Sequence, residues 1–299
     1  MKFISVGEVL WDVVGEAEHL GGAPLNFSAH AVRLGHTSYL VSAVGEDDRG
    51  DRARREIERL GVGTEYLHTI PDHHTGCVNV NLRDGQPCFT IYRPGAYDFI
   101  ELDNQQVEQL SAIAPEWIYF GTLAQTSAKA RSTTTRLTEA IPSAKRFYDV
   151  NLRKDCYDQE VVQHLLASAT VAKLNDLEIT IVASLLGDAN AISIEDFCHE
   201  YQARFGWDAV CVTRGEKGCA LLLGDSYVEA PACPVTLTDA IGAGDAFAAG
   251  LVHALSLGWE AARAAEFANR VGALVASRAG AIPAWSLQEL DCLPQHSAL

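Results

Sequence analysis

Strand-like and helix-like segments alternate along most of this chain, and one stretch breaks the alternation. The first strand signal covers 3–6, with a second apolar run at 9–12. Gly21-Gly22 leads into Pro24, and 26–34 read as a helix closed by Gly35; proline near a helix start and glycine just past its end are the expected punctuation. A strand at 39–44 and a charged amphipathic helix over 47–60, stopped by Gly61, follow. Parallel strands need long crossovers, usually helices, so this order predicts a parallel sheet covered by helices. The break falls at about 75–100. Cys77 to Leu82 alternate apolar and polar, Asp84-Gly85 is a hairpin turn signal, and Phe89 to Tyr92 form the returning strand. Alternation of this kind belongs to antiparallel, half-buried strands. It predicts a small β appendage, joined by 13–19, rising off the main sheet.

From Trp117 the α/β rhythm resumes. Strands are expected at 117–120, 146–150, 171–174, 209–213 and 219–223. Helices are expected at 103–112, 127–141, 158–168, 176–186, 193–205, 245–257 and 260–277. A further β-like stretch is read at 233–237, and a loose tail after Leu293.

The 299 residues carry a formal net charge of −16. Nucleic acids and anionic membranes call for a basic footprint, so both are disfavoured as partners. A phosphate chain is not, because a few cations, backbone amides and Mg2+ hold one on an acidic protein. None of the eight cysteines forms a C-x-x-C pair. No signal peptide and no apolar run of transmembrane length is visible, which predicts a cytoplasmic protein with reduced thiols.

The segment that carries the chemistry is Thr238-Asp239-Ala240-Ile241-Gly242-Ala243-Gly244-Asp245-Ala246-Phe247. Two glycines one residue apart let the backbone turn sharply before an apolar helix, whose free N–H groups attract an anion. Three readings compete on the residues alone. A dinucleotide fingerprint would need a third glycine where Phe247 stands. A structural turn would make Asp245 a helix cap. An anion hole would set the amides of Gly242, Ala243 and Gly244 beside a catalytic carboxylate, Asp245. Neither a P-loop nor a protein-kinase signature is present.

Asp239 to Asp245 resembles the C-terminal signature of the ribokinase-like (PfkB) carbohydrate kinases, with Ala240 where threonine is usual. Gly21-Gly22-Ala23-Pro24-Leu25-Asn26, followed by Arg33-Leu34-Gly35, resembles the N-terminal signature of that family. The resemblance covers essentially the whole chain and implies an α/β ribokinase-like fold: a central, mostly parallel sheet flanked by helices, with a small β-sheet lid. It implies one kinase domain over 1–299, the lid formed by about 12–21 and 75–99. Asp245 is the implied base, with the 242–244 amides as anion hole. Gly7 to Asp12, the Gly-Gly-Ala-Pro-x-Asn form and Asp149-Val150-Asn151-Leu152-Arg153 are most similar to fructokinases.

From the resemblance, Asp12, Gly22, Asn26, Arg93, Asn151 and Arg153 are the expected sugar-side residues. Arg93 has lid-hinge packing as its rival role, and Arg153 a surface ion pair. On the nucleotide side the resemblance implies Asn175, Glu178, Thr213, Gly215, Gly218 and Asn269. Glu178 would order Mg2+-bound water, with a helix cap formed by Asn175 and Glu178 as the competing role. Asp239, the Ile241 carbonyl and the 276–280 loop are the implied K+ site. The expected cofactors are ATP, Mg2+ and K+, and the expected acceptor is a sugar, D-fructose first. Another ketose, 2-keto-3-deoxygluconate, a nucleoside or a non-catalytic sugar-binding role stays open, as does a homodimer through the lid.

Overall fold

The computed structural model describes residues 1–83, 86–188 and 193–294. Along the chain run β1 (Lys2–Val6), β2 (Leu10–Val14), β3 (Ala17–Gly21), α1 (Ala23–Arg33), β4 (Thr37–Gly45), α2 (Asp48–Arg59), β5 (Leu67–Ile70), β6 (Gly76–Arg83) and β7 (Gln86–Tyr92). After a 3-10 turn at Ala96–Phe99 come α3 (Asn104–Ala112), β8 (Trp117–Gly121), α4 (Thr122–Gln125), α5 (Ala128–Ala140), β9 (Lys145–Asp149), α6 (Gln159–Ser168), β10 (Val171–Asn175), α7 (Asp176–Leu185) and α8 (Ile194–Phe205). The last part holds β11 (Ala209–Thr213), β12 (Cys219–Leu223), β13 (Ser226–Ala230), α9 (Ala243–Ser256), α10 (Ala261–Ala276) and α11 (Leu287–Asp291).

Nine strands form the main sheet in the order β13-β12-β11-β10-β9-β8-β1-β4-β5. All neighbours from β5 to β11 are parallel, and β12 and β13 add an antiparallel edge. Side chains alternate across this sheet, so two cores form on its two faces. Ile4 and Val6 face one, with Phe120 and Tyr148; Phe3 faces the other, with Phe27, Tyr119 and Phe147. Phe27 of α1 stacks on Tyr119 at 4.2 Å, which seats α1 on the sheet.

The appendage is a second sheet of four strands, β3-β2-β6-β7. Leu10 pairs with Gly21 on the antiparallel side and with Gly76 on the parallel side. The Asp84-Gly85 turn lies outside the described residues, as does the chain beyond Pro294. This sheet leans on α2. Trp11 Nε1 donates to the Arg49 carbonyl at 3.1 Å, the Arg52 guanidinium sits 4.4 Å over the Trp11 ring, and Glu18 accepts from both arginines.

One sequence expectation fails. The 233–237 stretch is irregular chain. Pro231 and Pro234 remove backbone donors there, so no ladder can run through it. The true edge strand is β13, just upstream, which together with β5 went unread because both are short and lack a long apolar run. Helices α1 and α9 pack side by side. Asn26 and Asp245 meet near their N-terminal ends, and His36, just past α1, bonds His253 near the end of α9 at 2.9 Å.

Phe27→Ala is expected to lower the unfolding free energy by about 3–5 kcal/mol through the cavity left between α1 and the sheet. The midpoint of urea denaturation measures it.

Candidate active site

The Thr238–Phe247 loop is tied down before α9 begins. Thr238 and Asp239 amides donate to the Ala276 carbonyl at 2.9 and 3.1 Å. Asp239 accepts from the Ile241 amide through Oδ1 and from the Gly280 amide through Oδ2, both at 3.0 Å. Gly242 has φ +76°, and a Cβ there would fall 2.4 Å from the Ala281 carbonyl, so only glycine fits. The N-terminal motif holds the same loop from the other side. Trp285 donates to His30 Nδ1 at 3.1 Å, which leaves the Nε2 proton to bond the Ala281 carbonyl at 3.0 Å. Arg33 donates to the carbonyls of Pro283 and Ile282.

This scaffold brings the two signatures into contact. Asn26 Nδ2 donates to Asp245 Oδ2 at 2.7 Å. Asn26 is on α1 because the chain turns at Gly22, where φ is +115° and a Cβ would meet the Glu8 carbonyl at 2.3 Å. Asp245 lies in the first turn of α9, where backbone N–H groups lack intrahelical acceptors and favour negative charge. The structure departs from the expected three-amide hole in one respect: the Ala243 amide donates to the Ala240 carbonyl at 3.3 Å, closing a tight turn. Among the described residues the Gly242 and Gly244 amides make no such bond.

The electrostatics suit a base. Burial, reinforced by the nearby Asp149 carboxylate, pushes the Asp245 carboxyl up to about 6, against the Asn26 hydrogen bond and the charges of Lys173 and Arg153. Behind the loop lies a buried ion pair. Lys173 Nζ reaches Asp149 Oδ1 at 2.9 Å and Oδ2 at 3.0 Å, and Tyr119 donates its hydroxyl to Asp149 Oδ2 at 3.1 Å. Burial alone would lower the Lys173 ammonium; the Asp149 carboxylate outweighs it and holds the group above its ordinary value. A Cβ on Gly244 would lie 3.8 Å from Lys173 Nζ, so the ammonium backs directly onto the anion-hole backbone. Sequence reasoning did not select Lys173 or Asp149 as site residues. The signal was a lysine inside an otherwise apolar strand run, Val171 to Leu174.

Glu8 also went unread. It is 4% exposed, and burial pushes its carboxyl up to about 7, with Arg153 opposing and Asp245 adding to the rise. Asp12 is half-buried beside Gly21, whose Cβ would fall 3.1 Å from Asp12 Oδ2; burial raises this carboxyl too, against Arg153. Arg153 is exposed, yet its charge reaches Glu8, Asp12 and Asp245 together. Asn151, two residues earlier, has φ +38°, a left-handed turn just after β9.

Other predicted residues hold structure in this state. Arg93 pairs with Asp98, its Nε 3.2 Å from Oδ2, and bonds Thr126, so its fork is engaged at the lid hinge. Asn175 and Glu178 form the capping box of α7. Glu178 accepts from the Asn175 amide at 2.8 Å and, through its other oxygen, from the Leu152 amide at 2.7 Å. Glu178 therefore clamps the loop that carries Arg153. Thr213 ends β11, and Gly215 and Gly218 shape the turn into β12, where a Cβ on Gly218 would meet the Ala230 carbonyl at 2.1 Å. Asn269, expected on the nucleotide side, lies on α10, where its Nδ2 donates to the carbonyls of Ala230 and Pro231 at 3.2 and 3.0 Å, just past β13.

A large mixed sheet flanked by helices, with a small separate sheet of four strands, is the ribokinase-like α/β fold. A double mutant of the fructokinase from Vibrio cholerae O395, in its fructose-, ADP- and potassium-bound form, matches with a TM-score of 0.81 at 26% identity over 97% of each chain. The model of the pfkB family of carbohydrate kinases matches residues 6–287, and the chain belongs to that family. It is 30% identical to a fructokinase from Salmonella typhimurium over 265 residues, 84% of this chain and 83% of the relative. It is 28% identical to the aminoimidazole riboside kinase of Salmonella typhimurium over 296 residues, 93% and 90% of the two chains.

Lys173→Met is expected to cost about 3–5 kcal/mol of stability, because Asp149 is left buried and uncompensated. The double variant Asp149→Asn, Lys173→Met should recover part of that loss. Chemical denaturation of the single and double variants measures both.

Proposed function

We propose that this chain transfers the γ-phosphoryl group of ATP to a primary sugar hydroxyl, the 6-hydroxyl of D-fructose first. The observation that carries the reading is the 2.7 Å bond from Asn26 to Asp245. It fixes a half-buried carboxylate in the first turn of α9, whose free amides favour an anion. In the proposed reaction Asp245 accepts the proton of the attacking hydroxyl as the oxygen bonds phosphorus and ADP leaves. The Gly242 and Gly244 amides, backed by the Lys173 ammonium, offset charge on the transferring group. The lid excludes water, which limits wasteful hydrolysis of ATP. The fructokinase relatives support fructose as acceptor; the aminoimidazole riboside kinase supports a ribofuranoside as the second candidate.

Mg2+ would reach this site chiefly on the phosphates of ATP. Both Glu178 oxygens accept from backbone amides, and among the described residues no cluster of three or more His, Cys, Asp or Glu side chains could hold a metal. When bound, it supplies charge neutralisation of the phosphoryl oxygens. For K+, Asp239 joins the Ile241 and Gly280 segments, so the two loops such an ion would bridge lie together.

A coupled ADP-release assay with D-fructose, ribose, 2-keto-3-deoxygluconate and adenosine tests the reading; turnover with none of them would remove it. Asp245→Asn is expected to bind sugar while losing about 100- to 10,000-fold in kcat. With the base protonated at low pH, wild-type kcat/KM should rise with pH through an apparent value near 6, where the Asp245 carboxyl titrates. A flat profile between pH 5 and pH 8 would contradict the base assignment.

A further inference from the structure

Buried polar atoms in folded proteins nearly always have a partner. Among the described residues, three that lack one belong to the segments where the small sheet joins the main one: Glu8 Oε2, Asn26 Oδ1 and the Tyr97 hydroxyl. Their side chains belong to residues 4%, 5% and 0% exposed. Glu8 stands in the crossing from β1 to β2, Asn26 follows β3 on α1, and Tyr97 sits in the 3-10 turn that returns from β7. These residues share one neighbourhood. The charge of Glu8 acts on the Tyr97 phenol, and the charges of Arg153 and Asp245 act on Glu8. The Tyr97 ring lies directly beneath the lid, since a Cβ on Gly76 would fall 2.8 Å from its Cδ1. On the other flank, a Cβ on Gly21 would sit between Asp12 Oδ2 and Asn26 Oδ1, at 3.1 and 4.0 Å.

The chemistry of these atoms defines their complement. Asn26 uses its amide nitrogen on Asp245, so its oxygen is what it has left to offer. The carboxylates of Glu8 and Asp12 are acceptors when ionised, and the Tyr97 hydroxyl both donates and accepts. These unpartnered atoms, among the described residues, are mostly acceptors. A ligand that fits them brings donors without negative charge, which is the chemistry of neighbouring hydroxyl groups. A carboxylate on the ligand brings no donor and faces Glu8, Asp12 and Asp245, with Arg153 as the cation whose charge reaches all three.

We propose that Glu8 and Tyr97 are specificity-determining residues that bind the non-reacting hydroxyls of a neutral polyhydroxylated acceptor beneath the lid and discriminate against sugar acids. This rests on the sugar-kinase reading and narrows its acceptor class. An unpartnered buried hydroxyl adds nothing to the stability of the free protein, so its removal separates a ligand role from a structural one.

Tyr97→Phe is the test, read by calorimetric binding of D-fructose, steady-state kinetics and thermal unfolding. The variant is expected to weaken fructose binding and raise the acceptor KM by about 5- to 10-fold, the loss of one hydrogen bond. KM for ATP and Tm should stay unchanged. Wild-type enzyme should favour fructose over 2-keto-3-deoxygluconate in kcat/KM. Glu8→Gln gives a second arm, with preference for the sugar acid expected to rise relative to wild type. Unchanged fructose binding in Tyr97→Phe, or wild-type preference for the sugar acid, overturns the inference. Normal wild-type turnover with an unaffected Tyr97→Phe variant sinks this inference alone. Fructose binding that weakens in Tyr97→Phe without any ATP-dependent turnover in wild type upholds the pocket and removes the kinase reading.

Discussion

A single side-chain hydrogen bond joins residues 219 positions apart, Asn26 to Asp245, and the rest of the structure is arranged to keep it. One partner comes from the first helix of the main body and the other from the first turn of the ninth. Neither helix can shift without moving the other. The bond exists because two glycine turns, at Gly22 and Gly242, let backbone approach backbone more closely than any side chain allows. It is flanked by His30 and Arg33, which fasten α1 to the 281–283 carbonyls next to the Thr238–Phe247 loop. The R-L-G end of the N-terminal motif thus has a physical role: it holds the C-terminal loop in place.

The charge arrangement follows from the same packing. Bringing α9 to the sheet leaves Asp245 half-buried, near β9 and β10, where Asp149 and Lys173 pair. The pair is nearly neutral as a unit, so it does not strip Asp245 of its basicity. Lys173 lowers the Asp245 carboxyl and Asp149 raises it, so the two charges of the pair act there in opposite directions. The ion pair sets a middle course and leaves the ammonium against the Gly244 backbone, on the side where negative charge would arrive.

The main architecture was legible because helix and strand periodicities differ and because prolines and glycines mark the ends. The lid announced itself through the alternation of Cys77 to Leu82 inside a chain that elsewhere reads α/β. The misread 233–237 stretch shows the limit of apolar pattern: Val235 and Leu237 look strand-like, but two prolines deny the ladder its donors. Within the site, short motifs pointed to Asp245, Asn26 and the glycines. Glu8, Lys173 and Tyr97 were hidden for a common reason. Each sits in or beside an apolar segment whose pattern indicates burial but not which distant charge it will meet. Glu178 and Asn269 illustrate the converse. The local half of the Glu178 role, the cap with Asn175, was readable three residues apart, but its bond to the Leu152 amide and the Asn269 bonds to Ala230 and Pro231 reach segments far off in the sequence.

The contact between His36 and His253 gives α9 the properties of a lever. The helix has 14 residues and so is about 21 Å long. Asp245 is near one end and His253, wedged against Trp259 and Phe267, is near the other. Over that arm, a tilt of only a few degrees at the far end displaces the near end by roughly 1 Å, enough to take a carboxylate out of line with a reacting hydroxyl. Aromatic packing around His253 is thereby coupled, through the length of α9, to the position of Asp245.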